Sequence, residues 1–335
     1  MPEPANNDIF LNRELSWLEF NNRVLDLAKE KGVPLGEQLR FAAIYNSNLD
    51  EFFMIRVGSL YDQTLLKSEK KENKTGMTPK QQLAAIMPKA GQIQKVCDKI
   101  VLRLYEKLKK YQIEKVDFSS LEKEDEEFWR QYFLKELSPV LSPQIIDRRH
   151  PFPFLRNGEL YIGAMLKTSK TSRPAFGLLP ISTQYERVIT VTVNGVTRFA
   201  LVEELALHFA PLVFGKTTVV SKSLFRVTRN ADIDAEEGMF DHDIDYRVVM
   251  SELLKKRRKL AAVRLQFWGR PPVGIRNFLM QKLMLPAEQC YIQRAPLELS
   301  FLFRLSSRLK NAGLPELFYP ICKPILPPQG TSLYG

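Results

Sequence analysis

Residues 34–55, PLGEQLRFAAIYNSNLDEFFMI, carry the pattern on which the fold reading turns. Phe41, Ile44, Tyr45, Asn48, Leu49, Phe52 and Ile55 recur at intervals that place them on adjoining parts of one helix face. Pro34, with a fixed φ and no N–H, suits the start of that helix. One polar residue, Asn48, interrupts the apolar face. An amide buried there must be hydrogen-bonded, because leaving it unpaired costs about 1–3 kcal/mol. Two roles stay open for it: a structural amide bonding a neighbouring backbone, or a donor and acceptor beside an aromatic wall, suited to a purine or a phosphate.

On the amino-terminal side, Ser16 and Glu19 form an S-x-x-E capping box, a pairing that satisfies free backbone N–H groups where a helix starts. Trp17, Phe20, Val24, Leu25 and Ala28 follow at helical spacing, and Gly32 is placed to cap the helix end. On the carboxyl side, the lysine-rich stretch 67–80 reads as an exposed loop. It ends in Thr78-Pro79, a cap followed by proline at the first helical position. A third helix carries Leu83, Ile86, Ile93, Cys97, Ile100, Val101, Leu104 and Leu108. A fourth begins at Ser119, whose partner Glu122 makes a second capping box, and stops by Pro139. Such amphipathic helices pack as a bundle, so residues 1–138 are expected to form an N-terminal α-helical domain.

The pattern changes near residues 139–153. Beyond them come short β-rich runs: LYIGAMLK from Leu160, RVITVTV from Arg187, TVVSKSLFRVT from Thr218 and AAVRLQF from Ala261. Helical stretches at 202–208, 243–259, 272–285 and 296–311 separate some of them, and turns such as Asn194-Gly195 join others. The fold class expected is therefore α+β, a helical bundle followed by a mixed α/β head domain over 139–315. Residues 316–335, rich in proline and glycine, read as a linker toward a further domain.

Composition narrows the chemistry. Among 335 residues, Lys and Arg outnumber Asp and Glu by 49 to 38, a formal +11 that favours polyanionic partners: nucleic acid, an acidic membrane face or inorganic polyphosphate. Cys97, Cys290 and Cys322 are too far apart for a C-x-x-C site. The start, MPEPANNDIF, has no secretory pattern, and no apolar run approaches the roughly 18 residues of a membrane helix, so a cytoplasmic location is expected. His208 lies inside an apolar helix and reads as packed. His150 has no carboxylate near in sequence to orient it. His242 lies among Asp241, Asp243 and Asp245, acids better explained by a helix start than by a metal. Asn230, Asp232 and Asp234 mimic a calcium loop, but Ala235 stands where glycine is required. The run Lys255-Lys256-Arg257-Arg258-Lys259 reads as a solvated helix end. No phosphate-cradling G-x-x-x-x-G-K-[ST] loop, no dinucleotide G-x-G-x-x-G and no G-x-S-x-G is present, so a self-sufficient nucleotide enzyme of the common kinds is not expected.

The segments FLNRELSWLEFNNRVLDLA (10–28) and LRFAAIYNSNLDEFFMIRVGSL (39–60) closely resemble the opening of the large bacterial polyphosphate kinases. HPFPFLRNGELYI (150–162), LFRVTRNADID (224–234) and LLKKRRKLAAVRLQF (253–267) resemble that family's head-domain signatures, in the same order. The resemblance implies an ATP-polyphosphate phosphotransferase that acts reversibly through a phosphohistidine with Mg2+, and that assembles as a homo-oligomer through the head. It also implies that the phospho-accepting histidine and the magnesium site lie beyond this sequence, so that the segment alone is inactive. Asn48 corresponds to the family's ATP-contacting asparagine. Arg226, Arg229 and Asn230 match a head motif without an assigned ligand. The partners expected are ATP or ADP and polyphosphate, with peripheral membrane association admitted and no nucleic acid. The alternative is a catalytically silent module that binds polyanions or dimerises.

Overall fold

The computed structural model describes residues 10–66, 71–147, 150–168, 171–181, 186–215, 217–230, 261–311 and 313–320. His242 with its aspartates, Asp232, Asp234, the basic run at 255–259 and Cys322 lie outside the described residues.

The first helix, α1 (Arg13–Leu27), is capped by Asn12, whose Oδ1 accepts the backbone N–H groups of Glu14 at 3.0 Å and Leu15 at 3.3 Å. Ser16 therefore lies inside the first turn and caps nothing, because Asn12 has already met the free donors. The helix closes at Ala28, before Gly32. Helix α2 (Leu35–Phe52) starts after Pro34 and runs through one π-turn, Phe53–Val57, into α3 (Gly58–Leu65). Thr78 caps the long α4 (Pro79–Leu108) in a full capping box with Gln81, and Pro79 takes the first position. Helix α5 (Lys123–Tyr132) begins after Glu122 instead of Ser119. Ser119 is held in a turn, where its N–H (2.9 Å) and hydroxyl (2.6 Å) donate to Asp117. Between α1, α2 and α4 lies a core of Leu18, Leu25, Leu39, Ile86, Val101 and Leu104. No helix among the described residues is long and apolar enough to cross a membrane.

Strands follow, and the fold is α+β. A three-stranded sheet has the order β1 (Ile113–Lys115), β6 (Val196–Leu201), β5 (Val188–Val193). Its β5–β6 hairpin turns at Asn194 and Gly195, both with positive φ (52° and 81°), the conformation a two-residue turn requires. A six-stranded sheet has the order β2 (Gln144–Ile146), β4 (Thr171–Ile181), β3 (Leu160–Thr168), β7 (Thr218–Arg229), β8 (Ala262–Trp268), β9 (Cys290–Gln293). Its pairs are antiparallel except β8–β9, which are parallel with α7 (Val273–Leu283) between them in sequence. Alternation along β3 sends Leu160, Ile162, Ala164 and Leu166 into a core with α6 (Val202–Val213) and α5, while Tyr161 joins Phe176, Phe225 and Ile275 on the α7 side.

The last helix, α8 (Phe301–Asn311), returns to the bundle. Its Phe301, Leu302, Leu305 and Leu309 share the core of α2 and α4. Ser306 Oγ donates to the Gly36 carbonyl at 3.3 Å, and Phe318 lies so close to Gly36 that a Cβ there would stand 2.4 Å from its ring.

Helices and large sheet are also joined by polar bonds. Asp50 on α2 receives Arg226 Nη1 at 2.7 Å and Arg264 Nη2. Arg264 is almost fully buried; its Nε and Nη2 also donate to Thr228 Oγ1 at 3.1 and 2.9 Å, and its guanidinium lies 4.3 Å over the Phe53 ring. Asn46 Oδ1 accepts the Leu299 N–H at 3.0 Å, and Asp98 accepts those of Arg294 (2.8 Å) and Ala295 (3.3 Å). Gly58 lets Asn230 reach Asp62, since a Cβ at Gly58 would stand 2.2 Å from Asn230 Oδ1.

Burial alone would raise the Asp50 carboxyl, but Arg226 and Arg264 outweigh it and hold it below the ordinary 3.8. Its contribution is thus present above that value and lost as pH falls through the lower folded one. Asp50→Asn, which leaves two buried guanidinium groups without their anion, should cost about 3 kcal/mol at pH 7. The gap from the parent should close as the pH drops below about 3.8. Chemical denaturation at several pH values checks this, and a gap independent of pH would contradict it.

Glu204 on α6 behaves oppositely. Its Oε2 is paired with Lys115 of β1, its Oε1 has no partner among the described residues, and burial raises its carboxyl to about 7 despite the lysine. A raised carboxyl pKa stabilises the folded state below the unfolded value of 4.5, and that contribution is lost as pH rises through about 7. Glu204→Gln should therefore flatten the decline in melting temperature between about pH 5 and 8. Parallel profiles for variant and parent would show that Glu204 does not titrate there.

Candidate functional site

Asn48 is half-buried where α1 and α2 meet, and its neighbours decide what it can do. Its Nδ2 donates to Asn21 Oδ1 at 3.1 Å, and the Nδ2 of Asn21, itself fully buried, donates to the Tyr45 carbonyl at 3.1 Å. This relay fixes the Asn48 amide with its N–H2 end toward Asn21. Among the described residues its Oδ1 takes no partner. The two readings of Asn48 thus coexist on one side chain: one end braces the helix pair, and the other is an unused acceptor.

That acceptor belongs to a cleft of about 340 Å³ lined by Trp17, Phe20, Asn48, Phe52, Ile55 and Arg56, with Glu51 at its edge. Trp17 of α1 stacks on Phe52 of α2, ring centroids 4.5 Å apart and planes within 9°. Phe20 is half exposed beside them. Arg56, on the π-turn, is steered by Glu14, which receives its Nε at 3.2 Å and its Nη2 at 2.6 Å. Glu14 is buried, and burial raises its carboxyl against the pull of Arg13. The cleft therefore offers a flat apolar wall, one amide acceptor, a guanidinium and a carboxylate. Such a surface suits a planar base with an N–H edge and an anionic extension.

The remaining candidates lie elsewhere. His150 is exposed, and its Nδ1 stands 3.0 Å from Asp147 Oδ1. The expectation that it had no orienting carboxylate is corrected, because Asp147, three positions earlier, lies within bonding distance of the ring. His208 bonds both oxygens of Glu126 at 2.9 Å and packs against Phe118 and Phe209, as a packed histidine should. Neither lines the Asn48 cleft. Arg226 sits at the Asp50 joint. Arg229 donates its N–H to Asn157 (2.8 Å) and its Nε to the Leu155 carbonyl (2.7 Å), with its guanidinium 4.1 Å over Phe154. Asn230 reaches Asp62. Among the described residues no group of three or more His, Cys, Asp and Glu side chains could hold a metal ion, so no step is assigned to magnesium here.

Sequence reasoning missed Asn21, Glu14 and Arg56. Asn21 gave a usable signal: it interrupts the buried row of Leu18 and Leu25 as Asn48 interrupts its own. Glu14 and Arg56 gave none, since their pairing spans 42 positions.

Comparison with known proteins bears on the family and the fold. The family models for the polyphosphate kinase N-terminal domain and middle domain match residues 10–116 and 124–305. A polyphosphate kinase of Bacillus cereus is 40% identical over 328 residues, covering 95% of this chain and 46% of that protein. One from Halalkalibacterium halodurans is 38% identical over 312 residues, covering 92% and 43%. The crystal structure of polyphosphate kinase from Porphyromonas gingivalis superposes with a TM-score of 0.73 at 22% identity, over 95% of this chain and 43% of that one. That likeness speaks to the fold. The chain spans less than half the length of these relatives. Matched in order across both its helical and its sheet-bearing part, it belongs to the polyphosphate kinase family.

Proposed function

We propose that this chain is the amino-terminal and head part of an ATP-polyphosphate phosphotransferase, in which the Asn48 cleft forms one wall of the ATP pocket. The observation that carries the reading is the Asn48 amide, anchored at one end by buried Asn21 and open at the other onto the Trp17–Phe52 wall. Residues 1–138 would supply this wall and residues 139–315 the homo-oligomer contact, with 316–335 leading onward. The phosphohistidine and the groups holding Mg2+ would lie outside this chain. When bound, the metal would neutralise charge on the transferred phosphoryl group. The excess of basic residues supports polyphosphate as the second substrate and admits peripheral contact with an acidic membrane face, in a cytoplasmic enzyme. The same charge favours the second reading, a silent polyanion-binding module.

Incubated alone with γ-labelled ATP and magnesium, the chain should acquire no alkali-stable label. Label on His150, His208 or His242 would overturn the division of labour proposed.

In the complete enzyme, Asn48→Ala should raise the KM for ATP roughly two- to tenfold, with a smaller change in kcat, as expected for one lost hydrogen bond. It should also lower stability by about 1–3 kcal/mol, because Asn21 Oδ1 is left buried without its donor. The stability loss with an unaltered KM would leave Asn48 a structural amide only.

A further inference from the structure

A second cavity, of about 290 Å³, lies between the sheets and α8, and its lining shares no residue with the Asn48 cleft. Leu160, Ile181, Val202 and Phe301 give it apolar walls. Its carboxylates are already engaged. Arg187 donates its Nε to Glu203 at 2.9 and 3.1 Å and its Nη1 to Glu298, and Glu298 also receives the N–H (2.6 Å) and hydroxyl (2.8 Å) of Ser300.

Two further guanidinium groups in the lining keep donors in reserve. Arg226 is more than nine-tenths buried, and its Nε and Nη1 are committed to the Gly158 carbonyl, Asp50 and the Leu297 carbonyl. Its Nη2 takes no acceptor among the described residues. Gly158, also in the lining, leaves that nitrogen uncovered, since a Cβ there would stand 3.3 Å from it. Arg304, exposed on α8, has no hydrogen bond or ion pair among the described residues. Counting Asp50 and Arg264 behind the cavity, the charged groups leave one positive charge in excess. Arg226 Nη2 keeps contact with the cavity space rather than being sealed in protein, so an anion there can meet it.

We propose that this cavity binds a phosphate-type oxyanion, gripped by Arg226 Nη2 from the buried side and by Arg304 from the solvent side. A tetrahedral anion presents oxygens in both directions at once, which suits two guanidinium groups approaching from different walls. The volume is at the small end for organic ligands and accommodates one phosphate or the end of a short phosphate chain. The assignment does not depend on the role of Asn48.

Isothermal titration of the full chain with orthophosphate and with tripolyphosphate, at fixed ionic strength, tests it. Arg304→Ala should weaken binding about tenfold, the worth of one charge-assisted hydrogen bond, and Arg304→Lys should recover part of the loss. Lys31→Ala removes the same charge from an exposed position outside the cavity lining and should change affinity by no more than about twofold. Similar affinity for both probes assigns a single free phosphate, whereas a preference of about tenfold or more for tripolyphosphate assigns a chain end. No saturable binding of either, or equal losses in Arg304→Ala and Lys31→Ala, would overturn the site, the second outcome pointing to the general positive field.

Discussion

The Asp50 carboxylate, closed between Arg226 and Arg264, is the interaction on which the arrangement of the two halves depends. A buried pair of this kind adds little net stability, because desolvating three charges offsets most of their attraction. What it supplies is direction. Residues two apart on an α-helix differ by about 200° around the axis. Turning Asp50 to the sheet arginines therefore turns Asn48 away from them, onto the face where Trp17, Phe20 and Phe52 form the cleft. The SNLDEFF motif is compact because one helical turn serves both tasks.

Close packing makes this joint possible. Gly58 and Gly36 occur where a side chain would collide with Asn230 and Phe318, so α2 and its continuation can lie against groups from much later in the chain. Beside the Gln94, Gln266 and Gln293 amides, which keep polar atoms without a partner among the described residues, further bonds cross the seam: Asn46 to Leu299, Asp98 to Arg294 and Ala295, and the Tyr291 hydroxyl to the Met87 carbonyl at 3.1 Å. Each satisfies a buried backbone group across the seam, which makes slippage between the parts costly. The helical part is thus completed by α8 and the strands behind it.

Periodicity in the sequence was a good guide wherever a local rule sufficed. The Thr78-Pro79 start of α4, the apolar face of α2, the Asn194-Gly195 hairpin and the strands near 160, 188, 218 and 262 all follow from turn chemistry, capping and side-chain period. It misled where the helix starts elsewhere than the spaced serine and glutamate suggest. Asn12 caps α1 four residues before Ser16, and Ser119 is tied into a turn by Asp117 while α5 begins only after Glu122. The short strands β1, β2 and β9 have too few residues to show a period and exist because a neighbouring strand needs a partner.

The sequence by itself determined the family, the α+β class and the singular position of Asn48, because capping, apolar period and ordered motifs are all local properties of the chain. Only the tertiary structure decided that Asp50 rather than Asn48 meets the head arginines, that Asn21 and Glu14 set the cleft's geometry, and that Arg226 keeps one nitrogen without an acceptor among the described residues. Each of these depends on partners 27 to 214 residues apart. Their electrostatic fit exists only once the sheet and helices have excluded water from between them.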